Sequence, residues 1–559
     1  MPSLEVAAMS SYANGSISSE MWSTYVSQAQ FSPTPRMALL ALVNLPILAI
    51  VLNVLWQLLP VRDKSLPPVV FHWIPIFGSA AAYGDDPLGF FFKCREKYGD
   101  VFTFILLGRK VTVALGAKGN NFVLGGTSKS LSAEDAYTHL TTPVFGKDVV
   151  YDVPNEVFME QKKFVKVGLS TENFRAYVGM IEDEVEEFFK NDAAFSVYQS
   201  NDINEWGKFD ATDIMAQITI LTASRTLQGK EVRGDLDKSF SELYNDLDGG
   251  FTPLNFMFPN LPLPSYRRRD RAQVKMSKFY TDILQKRKSG NTDHDQDMMA
   301  ALLNQKYRDG RPLRDHEIAH IMIALLMAGQ HTSSATGSWS LLHVASRPDI
   351  ADALYQEQVK YFGTPDGKLR AMTYEELRTL PVLDSVIRET LRVHPPIHSI
   401  MRKVRSDIAV PATLAAPSKE SVYVVPAGHF VLACPAVSQA DPRVWKQATA
   451  WDPLRWSDPE GVAAQAYNTY ADESGEKIDY GFGAVSKGTE SPYQPFGAGR
   501  HRCIGEQFAY LQLGVVLTTF IRRMEVRLET GKVPEHNYHT MITMPKRPRN
   551  IMYRRREHD

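Results

Sequence analysis

The segment Pro495–Gly505, PFGAGRHRCIG, constrains this chain more than any other stretch. Gly497, Gly499 and Gly505 permit positive φ and close backbone approach, so the segment reads as a tight loop laid against something flat. It then presents Cys503 and opens a helix, where unpaired backbone N–H groups and the helix dipole favour a thiolate. The other two cysteines, Cys94 and Cys434, sit in no such loop. Three widely spaced cysteines build neither a disulfide framework nor a cysteine-rich zinc site, which leaves Cys503 as a buried free thiol or a lone ligand.

A second constraint is the run from Asp315 to Ser346, which reads as one long helix with Asp315 as N-cap, Glu317 in the first turn and Pro348 beyond its end. At about 1.5 Å per residue it crosses a whole domain. Its middle, MAGQHTSSATGSW, is unusual for a buried helix: Gly329 lowers helix propensity, and His331, Thr332, Ser333 and Ser334 bring an imidazole and hydroxyls. Such a polar notch is either a site or a packing surface of small residues.

The spacing of Phe496, Gly499, His501, Cys503 and Gly505 resembles the haem-binding loop of the cytochrome P-450 superfamily, and Ala328-Gly329 with Thr332 resembles its oxygen-activation notch. His501, where most members carry arginine, and His331 are similar to the sterol 14α-demethylase branch. The resemblance spans roughly residues 67–549. It implies a mainly α fold with small β-sheets around a buried haem b, with Cys503 as the axial thiolate. A soft, electron-donating sulfur favours cleavage of bound oxygen over its carriage.

Further roles follow from the resemblance, residue by residue. In the less periodic stretch Tyr137 to Lys162, composition alone leaves loop packing and a ligand wall equally open. The resemblance makes it a substrate-recognition loop, with Tyr137, Tyr151 and Lys162 near the haem propionates and Leu140, Thr141 and Phe145 facing sterol. Arg402, His501, Phe496 and Gly497 join the cofactor set. Tyr83, Phe251, Pro253, Phe256, Gly329, Ile397, Ser399, Met401 and Met541 join the substrate set. Glu389 and Arg392, at i and i+3 on a helix that ends before Pro395, resemble with Arg455 the structural lock behind the haem. Asp248, in the DGGF segment, is the implied partner of His331, and with Thr332 the pair serves proton delivery.

Local signals fill in the rest. Asp86-Pro87 starts a helix that runs to about Tyr98 before Gly99. Val101–Leu107 and Val111–Leu115 read as a hairpin turning at Gly108-Arg109-Lys110. Thr373 and Glu376 form a capping box. Arg267–Arg271 reads as a solvated helix face, and YHTMITMPKRPR as a C-terminal hairpin. Lys477–Pro495 reads as a surface insert and resembles fungal members.

With 62 basic and 63 acidic residues the formal net charge is −1, so no nucleic-acid partner is indicated. From Met37 to Val61 the chain is uncharged and apolar all round, long enough for a tilted membrane span. Arg62 and Lys64 after it, against Arg36 before it, put the catalytic side in the cytosol. The expected organisation is a lumenal tail (1–36) bearing the Asn14 sequon, an anchor (37–61) and a cytosolic monooxygenase domain (62–559). Leu66-Pro67-Pro68 leads off the bilayer as an extended linker.

The expected function is sterol 14α-demethylation at the endoplasmic reticulum membrane. The implied partners are a sterol, an NADPH-dependent reductase, the lipid bilayer and azole inhibitors. Two rivals are a haem-thiolate hydroxylase of another apolar substrate and a haem- or sterol-binding sensor without turnover.

Overall fold

The computed structural model describes residues 35–59, 63–200, 202–234, 238–290, 297–471 and 488–556, with side chains from Asn44 onward save those of 238, 239 and 241. Residues 1–34 of the tail, Asn14 among them, and most of the 477–495 insert lie outside the described residues. The chain divides into two units, residues 1–62 with 72–75, and the remainder.

The first unit holds the helix Pro35–Leu58, which overlaps the uncharged run read as an anchor. Asn53 Nδ2 donates to the carbonyls of His72 (2.9 Å) and Trp73 (3.0 Å), and Gln57 exchanges hydrogen bonds with the His72 backbone. The first side chains of this helix lie outside the described residues, and among the described residues no helix is long and apolar enough to cross a membrane.

The second unit is built around the helix Asp315–Ser346, whose residues are buried on nearly every side. Its apolar residues lie on every side, and the hydroxyls of Thr336 and Ser338 between them donate to carbonyls one turn back, so it has no wholly polar face to turn to water. Helices Ala211–Ala223, Pro264–Ser289, Pro381–Val393 and Glu506–Arg523 pack against it. Its start corrects one expectation: the N-cap is Arg314, whose backbone N–H donates to the Glu317 carboxylate (2.7 Å). Asp315 instead pairs with Lys288.

A five-stranded sheet flanks the helices in the order Val101–Leu106, Arg109–Ala114, Phe430–Ala433, Ile400–Val404, Leu131–Ser132. The hairpin turns at Leu107-Gly108, with Leu106 opposite Arg109, and so is one residue shorter than expected. Leu107 (φ 49°) and Gly108 (φ 82°) both take left-handed backbone, the type I′ geometry that matches strand twist. The linker is not free: Val70 N–H donates to Thr103 O and Thr103 N–H to Pro68 O, both 2.8 Å, alongside the first strand.

The stretch from Tyr137 to Lys162 is more regular than expected. Helices Glu134–Phe145 and Asn155–Gly168 cover most of it, joined through a short turn at Val150–Asp152. Glu134 and Asp135 favour the first helix start, and Gly146 (φ 106°) ends it. Helix Pro87–Tyr98 has Asp86 as N-cap, and Thr373 and Glu376 make the expected box. In the basic cluster Arg269 is buried against Tyr266 while its neighbours are exposed. The C-terminal hairpin pairs His536–Asn537 with Met544–Pro545.

Candidate functional site

The Cys503 loop is closed by its own backbone. Cys503 N–H donates to Phe496 O (3.0 Å), Gly497 N–H to Gln494 O (3.1 Å), and the Tyr470 hydroxyl to Gly497 O (2.8 Å). Gly497 (φ 67°) and Gly499 (φ 65°) use left-handed backbone, as expected, whereas Gly505 does not. A Cβ at Gly505 would lie 3.6 Å from Cys503 Sγ, an ordinary contact, so neither its backbone conformation nor its space demands glycine there. Phe496 packs on Tyr510. The helix begins at Glu506, so Cys503 precedes it rather than starting it. Cys503 is exposed, yet the protein packed round it disfavours the charged form and pushes its thiol up against the opposing pull of the Gly505 N–H.

Charged and phenolic groups converge beside this loop. Arg402, on strand Ile400–Val404 and 4% exposed, spends one N–H on the Met401 carbonyl (2.8 Å). Tyr137 and Tyr151 stack at 5.5 Å, and Tyr151 lies 6.0 Å from the His501 ring. Burial pushes the Tyr151 phenol up to about 12, with Arg402 opposing, and Tyr137 rises for the same reason. The Tyr137 oxygen accepts from Met401 N–H (2.8 Å). Lys162, also buried, donates to the carbonyls of Arg500 (3.0 Å) and Arg502 (3.1 Å) and so braces the loop. Burial, reinforced by Arg402, Lys162 and Arg500, holds the His501 imidazole neutral. Among the described residues His501 Nδ1 and Arg500 Nε are buried without a hydrogen-bond partner.

The notch in the long helix opens where the pattern placed it. Ala328 is exposed, and Gly329, His331 and Thr332 are half-buried, in a helix otherwise enclosed on both sides. A Cβ on Gly329 would meet nothing within 4 Å. The Thr332 hydroxyl donates to the Ala328 carbonyl (2.8 Å). His331 Nε2 lies 2.9 Å from Asp248 Oδ1, and the Asp248 side chain is 45% exposed. Two residues that sequence reasoning passed over complete this corner: Tyr244, whose hydroxyl is 3.0 Å from His331 Nε2, and Gln330, which accepts from Tyr244 at 2.7 Å. The signal was present, since Tyr244 and Asp248 stand at i and i+4 on helix Lys238–Asp248.

The expected apolar wall is only partly continuous. Phe145 stacks on Phe251 (5.7 Å), and Phe256 packs on Tyr137 (5.9 Å). Leu140, Thr141 and Met401 are buried and Met541 is half-buried. Tyr83 sits among Phe90, Phe91 and Phe104 with its hydroxyl toward Ser399, and burial raises its phenol. Pro253 and Ile397 are exposed. Two open surface clefts, of about 530 Å³ beside His316 and His320 and about 480 Å³ beside Asp213 and Arg547, include neither Cys503 nor Thr332.

Behind the loop, Glu389, Arg392 and Arg455 do come together. The Glu389 carboxylate, with no exposure, accepts from Arg392 Nε and Nη2 (2.9 and 2.8 Å), Arg455 Nε (2.9 Å), Trp456 Nε1 (3.1 Å) and Asp452 N–H (3.0 Å). Arg392 also donates to the carbonyls of Gln439, Ala448 and Ala450, tying the end of helix Pro435–Gln439 and the loop after it to its own helix.

The family model described as Cytochrome P450 matches residues 67–553. The chain belongs to the cytochrome P450 family. Among its relatives, this P450 is 57% identical over 90% of its length to "Lanosterol 14-alpha demethylase" of Mycosarcoma maydis, covering 91% of that protein. It is 48% identical to the enzyme of the same name from Candida tropicalis, over 90% of this chain and 93% of that one. A solved structure described as retinoic acid bound cyanobacterial CYP120A1 matches with a TM-score of 0.69 at 19% identity, over 89% of this chain and all of that one, a likeness of fold.

Membership implies a haem iron held by a cysteine thiolate, and the residues of this P450 fit that group. A cation at Cys503 Sγ offsets the burial that otherwise favours the thiol. The unpartnered His501 Nδ1 and Arg500 Nε, with Arg402 beside them, suit two carboxylates in a place where buried nitrogens need partners.

Proposed function

We propose that this P450 is a sterol 14α-demethylase, removing the 14α-methyl group of lanosterol or eburicol as formate through three successive oxygenations and leaving a Δ14 sterol. The observation that carries the reading is the 57% identity, over 90% of the chain, to a protein of that name. When bound, haem supplies the oxygen chemistry, with electrons from NADPH through a reductase.

The chain's own part is to hold, enclose and protonate. Cys503 would hold the iron, and Arg402, His501, Tyr137, Tyr151 and Lys162 surround the place the propionates would take. Leu140, Phe145, Phe251 and Met401 exclude water from the reacting end of an apolar substrate, where each polar contact otherwise carries a desolvation cost. Asp248, reaching solvent, holds the Nε2 side of His331, and His331 with Thr332 brings protons to the notch. The uncharged run 37–61 supports a single-pass anchor in the endoplasmic reticulum membrane, with residues 1–36 lumenal and 62–559 cytosolic. Azole inhibitors would engage the same haem face.

The test is incubation of the haem-loaded protein with reductase, NADPH and each sterol. Formate and Δ14 product in equal amounts are expected. A hydroxylated product without formate would instead favour a hydroxylase, and binding without any product a sensor.

A further inference from the structure

We infer that Tyr244 and Gln330 are positioning residues that keep a hydrogen on His331 Nε2 and leave Nδ1 as the nitrogen that exchanges protons with the cavity. The inference rests on the reading of this chain as an oxygenase that consumes protons at the notch.

Hydrogens can be counted along one chain of contacts. Gln330 Nε2 lies 3.4 Å from the Ala216 carbonyl, and an amide oxygen in its place would face another oxygen. That orients the amide and leaves Gln330 Oε1, an acceptor only, 2.7 Å from the Tyr244 hydroxyl. Tyr244 has one hydrogen and gives it to Gln330. Its oxygen can then only accept from His331 Nε2, 3.0 Å away. Asp248 Oδ1, 2.9 Å from the same nitrogen, is a second acceptor. Two acceptors facing one nitrogen exclude the neutral tautomer that carries its hydrogen on Nδ1 alone. The fixed end of this chain is enclosed: Gln330 and Tyr244 are each at least nine-tenths buried, while His331 is half-buried at the open notch.

This order has a mechanistic consequence. An imidazolium that gives its Nδ1 proton to an acceptor in the cavity becomes the neutral Nε2–H form. That form keeps its one N–H shared between the Tyr244 oxygen and the Asp248 carboxylate, so neither a ring flip nor a proton shuffle follows the transfer. A proton from solvent then recharges the ring before the next transfer.

Two experiments test it. Neutron diffraction from crystals of the haem-loaded protein, without substrate, should place hydrogen on His331 Nε2 and direct the Tyr244 hydrogen at Gln330 Oε1. Hydrogen on Nδ1 alone, or a Tyr244 hydrogen aimed at His331, would overturn the inference whatever the chain's substrate. In turnover, Tyr244→Phe should lower kcat several-fold with KM unchanged, and should cause no further loss in a His331→Ala background. Equal losses in both backgrounds would make Tyr244 merely structural. Gln330→Met frees the Tyr244 hydrogen to compete for His331, so it should slow the wild type and leave Tyr244→Phe unaffected. Absence of formate from the unmodified protein would count against the demethylase reading alone.

Discussion

The substitution Glu389→Gln probes the lock behind the loop with almost no change of volume. The carboxylate accepts five hydrogen bonds while fully enclosed, and its partner Arg392 is equally enclosed. A glutamine in its place would aim an NH2 group at guanidinium and indole donors and leave Arg392 without its counter-charge. Breaking one side of a buried pair costs about 3–5 kcal/mol, a large part of the roughly 5–15 kcal/mol that separates folded from unfolded chains. At about 2.1 cal/mol/K of unfolding entropy per residue, a domain of several hundred residues has an entropy near 1 kcal/mol/K, so the expected fall in melting temperature is about 3–5 °C. The assay is thermal loss of the thiolate-type band of the reduced carbon-monoxide complex. Asp282→Asn is the control, because Lys278 and Asp282 form an exposed i, i+4 pair at 2.8 Å whose loss should cost under about 0.5 kcal/mol. Melting of Glu389→Gln within a degree of that control would refute the idea that the enclosed carboxylate stabilises the loop.

Cys503→Ser should abolish the thiolate-type carbon-monoxide band, and a full band would remove Cys503 from its role. Asp248→Asn and His331→Ala should each slow turnover by about 100-fold or more, and the double variant by less than the product, whereas independent losses would break the proposed relay. Tyr151→Phe should weaken azole binding with haem retained, and unchanged titration curves for short and long azoles would argue against it. The enclosed imidazoles predict acid lability. Burial lowers His343 to about 3 and His398 and His536 to about 4, and holds His394 well below the usual imidazole range. Unfolded histidines titrate near 6.5, so the unfolded chain binds more protons below that pH. The stability these groups contribute is full above about pH 6.5, is lost progressively as pH falls below it, and is gone once pH has passed the folded values of about 4 and 3. Denaturation midpoints across that range should fall, and His536→Gln should flatten the slope.

Local chemistry was legible wherever a single residue type decided the backbone. Asp86-Pro87, the Thr373–Glu376 box, and the left-handed glycines Gly497 and Gly499 all appear as read. Readings slipped where neighbours competed for one role. Arg314, not Asp315, caps the long helix because Glu317 reaches back to its N–H and Lys288 takes Asp315. The stretch from Tyr137 to Lys162 looked irregular because Pro143 and the aromatic residues mask its period, yet packing makes most of it helical. The closeness of Asp248 to His331 was readable only through the resemblance to a family, since no local pattern joins residues so far apart in the chain.

The sequence by itself determined the loop at Cys503 and the long helix with its open notch, because these depend on backbone conformation and on motifs within short spans. Only the tertiary structure decided how partners far apart in the chain share their hydrogens. Lys162 meets the carbonyls of Arg500 and Arg502, Arg402 faces Tyr137 and Tyr151, and Tyr244 is held between Gln330 and His331. The physical reason is that a buried polar atom takes whichever complementary atom the packing delivers within about 3 Å, and no local pattern records that choice.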